Sequence, residues 1–293
     1  MTARRRWLAG LFVLAFCGTA GAQWYDTTEI PGGIGDILRP FSLQGYNPGS
    51  GGEMSAWIAP GTDPKLTQLS FLLRGGYQFS SKPVYLGLEV PMALFSSDAF
   101  SQFVIGDVGL SLKYRLDPTK KELEFYTGWT LNVYLPTAQI SDTATTAAKQ
   151  MQAQTGGLMS SLIPGLHQPE AVGIVGSFDI LLPGKLFYFQ FELSPAIYIP
   201  VSDTGTRDTW GAFIWGGLAG WNIIEQLALV VEFKGYTPLN DELFEQSLLA
   251  FSAGLRMRFG AFQPALWVSL PLNYDYRQSF PDAIVGINLG AWF

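Results

Sequence analysis

Cysteine is nearly missing from this chain. Of 293 residues only Cys17 is one. It sits in a stretch with the three parts of a secretory signal: Arg4, Arg5 and Arg6 as the basic end, Trp7 to Phe16 as a short apolar middle, and Ala20-Gly21-Ala22 as a small-residue cleavage site. Residues 1–22 are therefore expected to be a signal peptide. A small residue would precede the cysteine of a lipoprotein, and Phe16 stands there instead. The mature chain would carry no disulfide, so an exported protein of this kind needs another source of stability.

Long hydrophobic runs are the second absence. Apolar residues make up 48% of the chain. Beyond the signal they never gather into a run of about 18, the length a membrane helix needs, which excludes a helical membrane protein. Charge is also sparse, at 14%, and the basic share is the smaller. Without the three signal arginines, 15 basic residues face 24 acidic ones, a net charge of −9. That balance argues against nucleic acid as a partner.

What is abundant is glycine (33) and aromatic side chains (21 Phe, 12 Tyr, 9 Trp). Short alternating segments rich in both suit a membrane β-barrel. The C-terminal stretch is the clearest case. Val285, Ile287, Leu289, Ala291 and Phe293 share one parity, and Gly286, Asn288, Gly290 and Trp292 the other. That is a strand with one apolar face. It resembles the C-terminal signal of outer-membrane barrels, in which an alternating strand ends on Phe and is read by the barrel-assembly machinery. The resemblance makes Phe293 an assembly signal and that machinery a partner.

Residues 23–52 are irregular, broken by Pro31-Gly32-Gly33 and by Asn47 to Gly52. Residues 53–293 read as the barrel. Strands are expected at 53–60, 66–79, 84–95, 106–116, 122–135, 171–182, 186–199, 210–221, 226–236, 247–259, 264–272 and 283–293. Short connectors alternate with long ones at 96–105, 136–170, 200–209, 237–246 and 273–282, as periplasmic turns alternate with extracellular loops. The fold class is thus all-β, an antiparallel transmembrane barrel of about twelve strands in a Gram-negative outer membrane. The stretch 53–60 is short and flanked by glycine, so ten strands with a detached N-terminal arm stays open. Pro91 and Pro195 fall inside expected strands, which suits only a rim or an irregularity.

Parity separates lipid from lumen. Leu110, Leu112 and Tyr114 oppose Gly109, Ser111, Lys113 and Arg115. Phe187, Phe189 and Phe191 oppose Tyr188, Gln190 and Glu192. A mid-bilayer Arg or Lys would cost about 2–4 kcal/mol, so the charged parity faces the lumen. The lumenal charges read in this way are Arg74, Lys113, Arg115, Lys234, Arg256 and Arg258 against Glu89, Asp107, Glu124, Asp179, Glu192 and Glu232. Antiparallel partners across a turn keep a constant number sum. A sum of 163 sets Arg74 opposite Glu89 and Gln78 opposite Tyr85. A sum of 239 sets Arg115 opposite Glu124 and Lys113 opposite Tyr126. Balanced charge gives no reason to select ions of one sign. The lining aromatics Tyr126, Tyr134, Tyr188, Tyr198 and Trp267 serve either as filler or as stacking faces for an aromatic solute.

The strand Gly106-Asp107-Val108-Gly109-Leu110-Ser111-Leu112-Lys113-Tyr114-Arg115-Leu116 resembles a recurrent strand of outer-membrane proteins assigned to the meta-pathway of phenol degradation. The resemblance implies a porin-like passive channel for small hydrophobic or aromatic solutes, with no cofactor. The long-chain fatty-acid channels, whose N-terminal plug carries an Asn-Pro-Ala turn, are a more distant comparison. Here Asn47-Pro48 is followed by Gly49, so a plug-like role for 23–52 is analogy alone.

Two other classes compete. An outer-membrane hydrolase needs a nucleophile and base in hydrogen-bonding reach. The single histidine, His167, lies in the loop Ile163 to Pro169, with no acidic partner tied to it by spacing. No cluster has metal-ligand spacing, so no enzyme, metal or cofactor is expected. A structural or adhesive barrel would act through its loops. Loop 136–170 is long enough to suggest function or disorder. Its segment Ala147 to Gln154 has helical propensity. It could fold into the pore mouth or stand outside as a binding lobe. The other extracellular connectors are acidic, which reads as a solvated surface or as contact with divalent ions bridging lipopolysaccharide.

Overall fold

The computed structural model describes residues 50–60, 67–79, 84–96, 101–116, 125–137, 171–182, 186–201, 208–240, 247–272 and 283–292. The expected signal 1–22, nearly all of 23–52, Glu124, the body of loop 136–170 with His167, and Phe293 lie outside them.

Alternation of apolar and polar residues produces strands throughout. They are β1 (Gly51–Pro60), β2 (Thr67–Gln78), β3 (Val84–Ser96), β4 (Ser101–Ile105), β5 (Val108–Leu116), β6 (Tyr126–Leu135), β7 (Ala171–Leu182), β8 (Phe187–Pro200), β9 (Trp210–Ile224), β10 (Leu227–Pro238), β11 (Leu248–Met257), β12 (Phe262–Pro271) and β13 (Ile284–Trp292). Every pairing is antiparallel between neighbours, and β1 bonds to both β2 and β13, which closes the sheet. β4 and β5 both pair with β3 and form one stave, so the barrel has twelve staves. The stretch at 53–60 is therefore a wall strand and not part of a detached arm. At its start Gly51 adopts φ 151°, and a side chain there would collide with the carbonyl of Ala291 on β13. The closing seam needs glycine at this point.

The prolines sit where the ladder breaks. Gly106 N–H donates to the carbonyl of Pro91 at 2.8 Å. The β3 register shifts there by one residue, from Met92 opposite Ile105 to Glu89 opposite Gly109. This is a bulge, and the missing N–H of Pro91 meets it. The expected loop 96–105 is correspondingly shorter, because Ser101–Ile105 belongs to the wall. Pro195 pairs with Phe213 on one side, while the β7–β8 ladder is interrupted between Val175–Ala196 and Phe178–Leu193 on the other. Proline is thus tolerated inside the wall where one neighbour is released.

Burial is inverted relative to a water-soluble protein. On β5, Leu110, Leu112 and Tyr114 are 45 to 48% exposed, while Lys113 and Arg115 are 4% and 7% exposed. On β8, Phe187, Phe189, Phe191 and Leu193 point out, and Tyr188, Gln190, Glu192 and Ser194 are buried. An apolar belt this continuous would be untenable in water. In a bilayer it is the matching surface, and closure leaves no edge with unpaired backbone groups.

One expected register fails. β5 and β6 pair with Arg115 opposite Gly128 and Lys113 opposite Thr130, a sum of 243 and not 239. Tyr126 instead lies opposite Leu181. The two registers differ by four residues, an even slip that preserves every side chain's face, so parity cannot distinguish them. The register between β2 and β3 is the expected one, with Arg74 opposite Glu89 and Gln78 opposite Tyr85.

Candidate functional site: the lumenal face

One inward row can be followed across eight staves. From Glu53 the hydrogen-bonded registers lead to Arg74, Glu89, Gly109, Tyr134, Gly173, Tyr198 and Trp210. The row begins as alternating charges and ends as alternating glycine and aromatic rings.

Glu53 is the hub of the charged end. Its Oε1 lies 2.6 Å from Arg74 Nη2 and its Oε2 3.1 Å from Arg256 Nη1. Ser55 Oγ and Asn288 Nδ2 also donate to Oε1, at 3.2 and 3.3 Å. Trp267 Nε1 donates to Asn288 Oδ1 at 2.8 Å, which orients the amide toward the carboxylate. Five wall strands, β1, β2, β11, β12 and β13, are joined through this cluster across the closing seam. A buried carboxylate is tolerated because both oxygens meet guanidinium groups.

The aromatic end works by complementarity of size. A methyl group on Gly109 would come 2.8 Å from the Tyr134 ring, and one on Gly173 3.2 Å from the Tyr198 ring. The missing side chains let each ring lie close against the wall. Tyr198 stacks on Trp210 with centroids 5.2 Å apart and planes at 19°. Tyr134 O–H donates to Glu89 Oε2 at 3.4 Å, linking the two ends of the row. The same device recurs where Tyr188 covers Gly220 and Trp267 covers Gly286.

A second charged row runs Arg115, Gly128, Asp179, Glu192, Gly216 and Lys234. Lys113 Nζ, from the row beside it, pairs with Asp179 Oδ2 at 3.1 Å. Ser194 Oγ donates to Glu192 Oε1 at 2.9 Å and lies 2.8 Å from Ser177 Oγ. Charge is therefore compensated between non-adjacent staves, Lys113 with Asp179 and Arg256 with Glu53, as well as along the wall.

Among the expected lumenal residues, Glu89, Asp107, Lys113, Arg115, Tyr126, Tyr134, Asp179, Tyr188, Glu192, Tyr198, Glu232, Lys234, Arg256 and Trp267 are buried on the inward side. Arg74 is inward with its side chain 12% exposed. Arg258 is half-buried just past β11, its N–H donating to the carbonyl of Gln226. Glu124 lies outside the described residues. Partners differ from those expected: Arg74 turns its guanidinium to Glu53, and Lys113 reaches Asp179 two staves away. Glu53, Trp57, Asn288 and Trp210 were not among the expected lining residues. The signal for the first two was available, since Glu53, Ser55 and Trp57 alternate with Met54, Ala56 and Ile58.

No family model matches the sequence, and no curated protein matches it. Solved structures do match in shape. The COG4313 outer membrane channel from Pseudomonas putida F1 superposes with a TM-score of 0.60 at 14% identity, over 88% of this chain and 100% of that one. The transport unit of the autotransporter AIDA-I from Escherichia coli gives 0.48 at 10% identity, over 88% and 93%. The beta domain of the Bordetella autotransporter Brka gives 0.45 at 11%, over 84% and 100%. The first likeness is one of fold, and it agrees with the closed wall and the outward apolar belt. The chain is a closed, twelve-stave antiparallel transmembrane β-barrel.

Proposed function

We propose that this barrel is a passive channel for small neutral solutes, hydrophobic or aromatic in character. The observation that carries the reading is the lumenal face: polar and aromatic side chains with acids and bases paired, enclosed by a closed wall. Among the described residues the inward acids are Glu53, Glu89, Asp107, Asp179, Glu192 and Glu232, and the inward bases Arg74, Lys113, Arg115, Lys234 and Arg256. A lumen so nearly balanced has little reason to prefer one sign of ion. The rings of Tyr134, Tyr198 and Trp210 give this part of the lumenal face an aromatic character. The structural neighbour from Pseudomonas putida F1 is itself an outer membrane channel, and the β5 strand resembles the phenol-degradation group. Both support the reading. It assigns no catalytic residue, cofactor or metal. It takes the barrel-assembly machinery as the route of insertion, with Phe293 as its signal.

The test is uptake across an outer membrane, whose lipopolysaccharide leaflet is the barrier. Cells with and without the barrel are given radiolabelled neutral aromatics or charged sugars, and the assay is repeated after excision of residues 141–165. Faster entry of the aromatics is expected. Preferential entry of charged sugars would favour an oligosaccharide porin instead. No entry of either, in either form, would favour a structural or adhesive barrel.

A further inference from the structure

The inward face of β6 carries Tyr126, Thr130, Asn132 and Tyr134 in alternation. Asn132 is fully buried, and its Oδ1 accepts a hydrogen bond from Ser111 Oγ at 2.6 Å on the neighbouring stave. The amide thus lies with its oxygen toward Ser111. The other end, Nδ2, holds two N–H donors and finds no partner among the described residues. Thr130, 4% exposed, likewise leaves Oγ1 without a partner there. The two residues lie on one face, about 7 Å apart along the strand.

Buried donors without acceptors are costly, and a native structure retains them where something else supplies the partner. Their surroundings define that partner. Lys113 stands opposite Thr130 but is committed to Asp179. Ser177 stands opposite Thr130 on the other side and lies against Ser194. The groups left on β6 itself are uncharged, an amide donor and a hydroxyl, with the Tyr134 ring next on the same face; Asp179 Oδ1, one row away on β7, also has no hydrogen-bond partner among the described residues.

We propose that Asn132 and Thr130 form a hydrogen-bonding subsite inside the barrel for a small neutral solute bearing an oxygen acceptor, a hydroxyl or carbonyl on an otherwise apolar frame. The acceptor takes the Asn132 Nδ2 donor, Thr130 Oγ1 serves a second polar atom or the same one, and the apolar part lies toward Tyr134. The subsite thereby sets selectivity for oxygenated solutes over hydrocarbons of equal size. This deepens the channel reading and rests on it.

Phenol and toluene are a suitable pair of probes, since they match in size and differ by hydroxyl against methyl. Binding of each to the folded barrel in lipid nanodiscs is measured by saturation-transfer NMR, with protein-free discs as the partition blank. Uptake of each is measured in cells. Asn132→Leu and Thr130→Val are expected to weaken phenol binding about two- to tenfold, the equivalent of one net hydrogen bond, and to leave toluene unchanged. Thr130→Ser is expected to retain phenol binding. If Asn132→Leu does not fold, the Thr130→Val and Thr130→Ser pair decides. Phenol binding unchanged in the valine variant, or equal loss of both probes, overturns the subsite. So does a wild-type barrel that binds no phenol, which would leave water as the only occupant. Phenol binding that depends on these residues without uptake keeps the subsite and removes the channel reading. Uptake that ignores them does the reverse.

Discussion

At the scale of single residues, Glu53 has the most to lose. Its carboxylate is buried between Arg74 and Arg256 and takes two further hydrogen bonds. Breaking a buried ion pair by removing one partner typically costs about 3–5 kcal/mol, because a charge is left uncompensated. Glu53→Gln is expected to fall near the lower end of that range, since an amide still accepts one bond. Urea unfolding of the barrel in micelles would measure it. Replacing Arg256 with Met in the same molecule should recover part of the loss, and a purely additive double variant would contradict the coupling. Gly220 makes a different kind of test. An alanine there would drive its methyl group into the Tyr188 ring, and overpacking of this kind costs about 1–3 kcal/mol. The same unfolding assay should show Gly220→Ala destabilised, and Gly220→Ala with Tyr188→Ala partly relieved. The inward position of Glu53 could be read from its alternation with Met54. Its role as a hub could not, because that depends on Arg256 and Asn288 arriving from the far end of the chain.

At the scale of strands, alternation is sufficient to decide which face meets lipid, and turn length is not. Most of the described strands show the two-residue period, so the expected strands fall close to β1–β3 and β5–β13. The register of β2 with β3 is short-range, joining strands only a few residues apart in the chain. The register of β5 with β6 sits four residues from the expected one. Charge pairing within a strand pair was the basis of that expectation, yet Lys113 satisfies its charge with Asp179 on β7. Residues on non-adjacent staves come together through barrel curvature, which local sequence does not encode. The bulge at Pro91 and the extra wall segment Ser101–Ile105 were missed because the segment, Ser-Gln-Phe-Val-Ile, is too short to show a clear period beside a loop. The facing itself yields a direct test. Leu112 is 46% exposed on the outside of β5. Leu112→Arg should cost about 2–4 kcal/mol if that position lies near the bilayer midplane. Refolding titrations into lipid would measure this, and a neutral outcome would contradict the outward, mid-membrane placement.

At the scale of the whole molecule, the lumen behaves as one electrostatic object. Its inward acids and bases nearly cancel among the described residues, and compensation runs between staves that are not neighbours: Glu53 with Arg256 and Lys113 with Asp179. Selectivity for ions follows the net charge that a passing ion meets, not the number of charges on the wall. A reconstituted barrel in a planar bilayer with a potassium chloride gradient should therefore show a reversal potential close to zero. Asp179→Asn removes one acid and leaves the Lys113 ammonium without its 3.1 Å partner, so the reversal potential should move toward that of chloride. Lys113→Met should move it the opposite way. The double change, Asp179→Asn with Lys113→Met, restores the balance and should return it near zero. A strong preference in the unaltered barrel would mean that residues beyond the described wall dominate the path. Single changes that leave the potential where it was would mean that ions do not pass beside this pair, and the route would then have to run along the opposite wall, past Glu53 and Arg256.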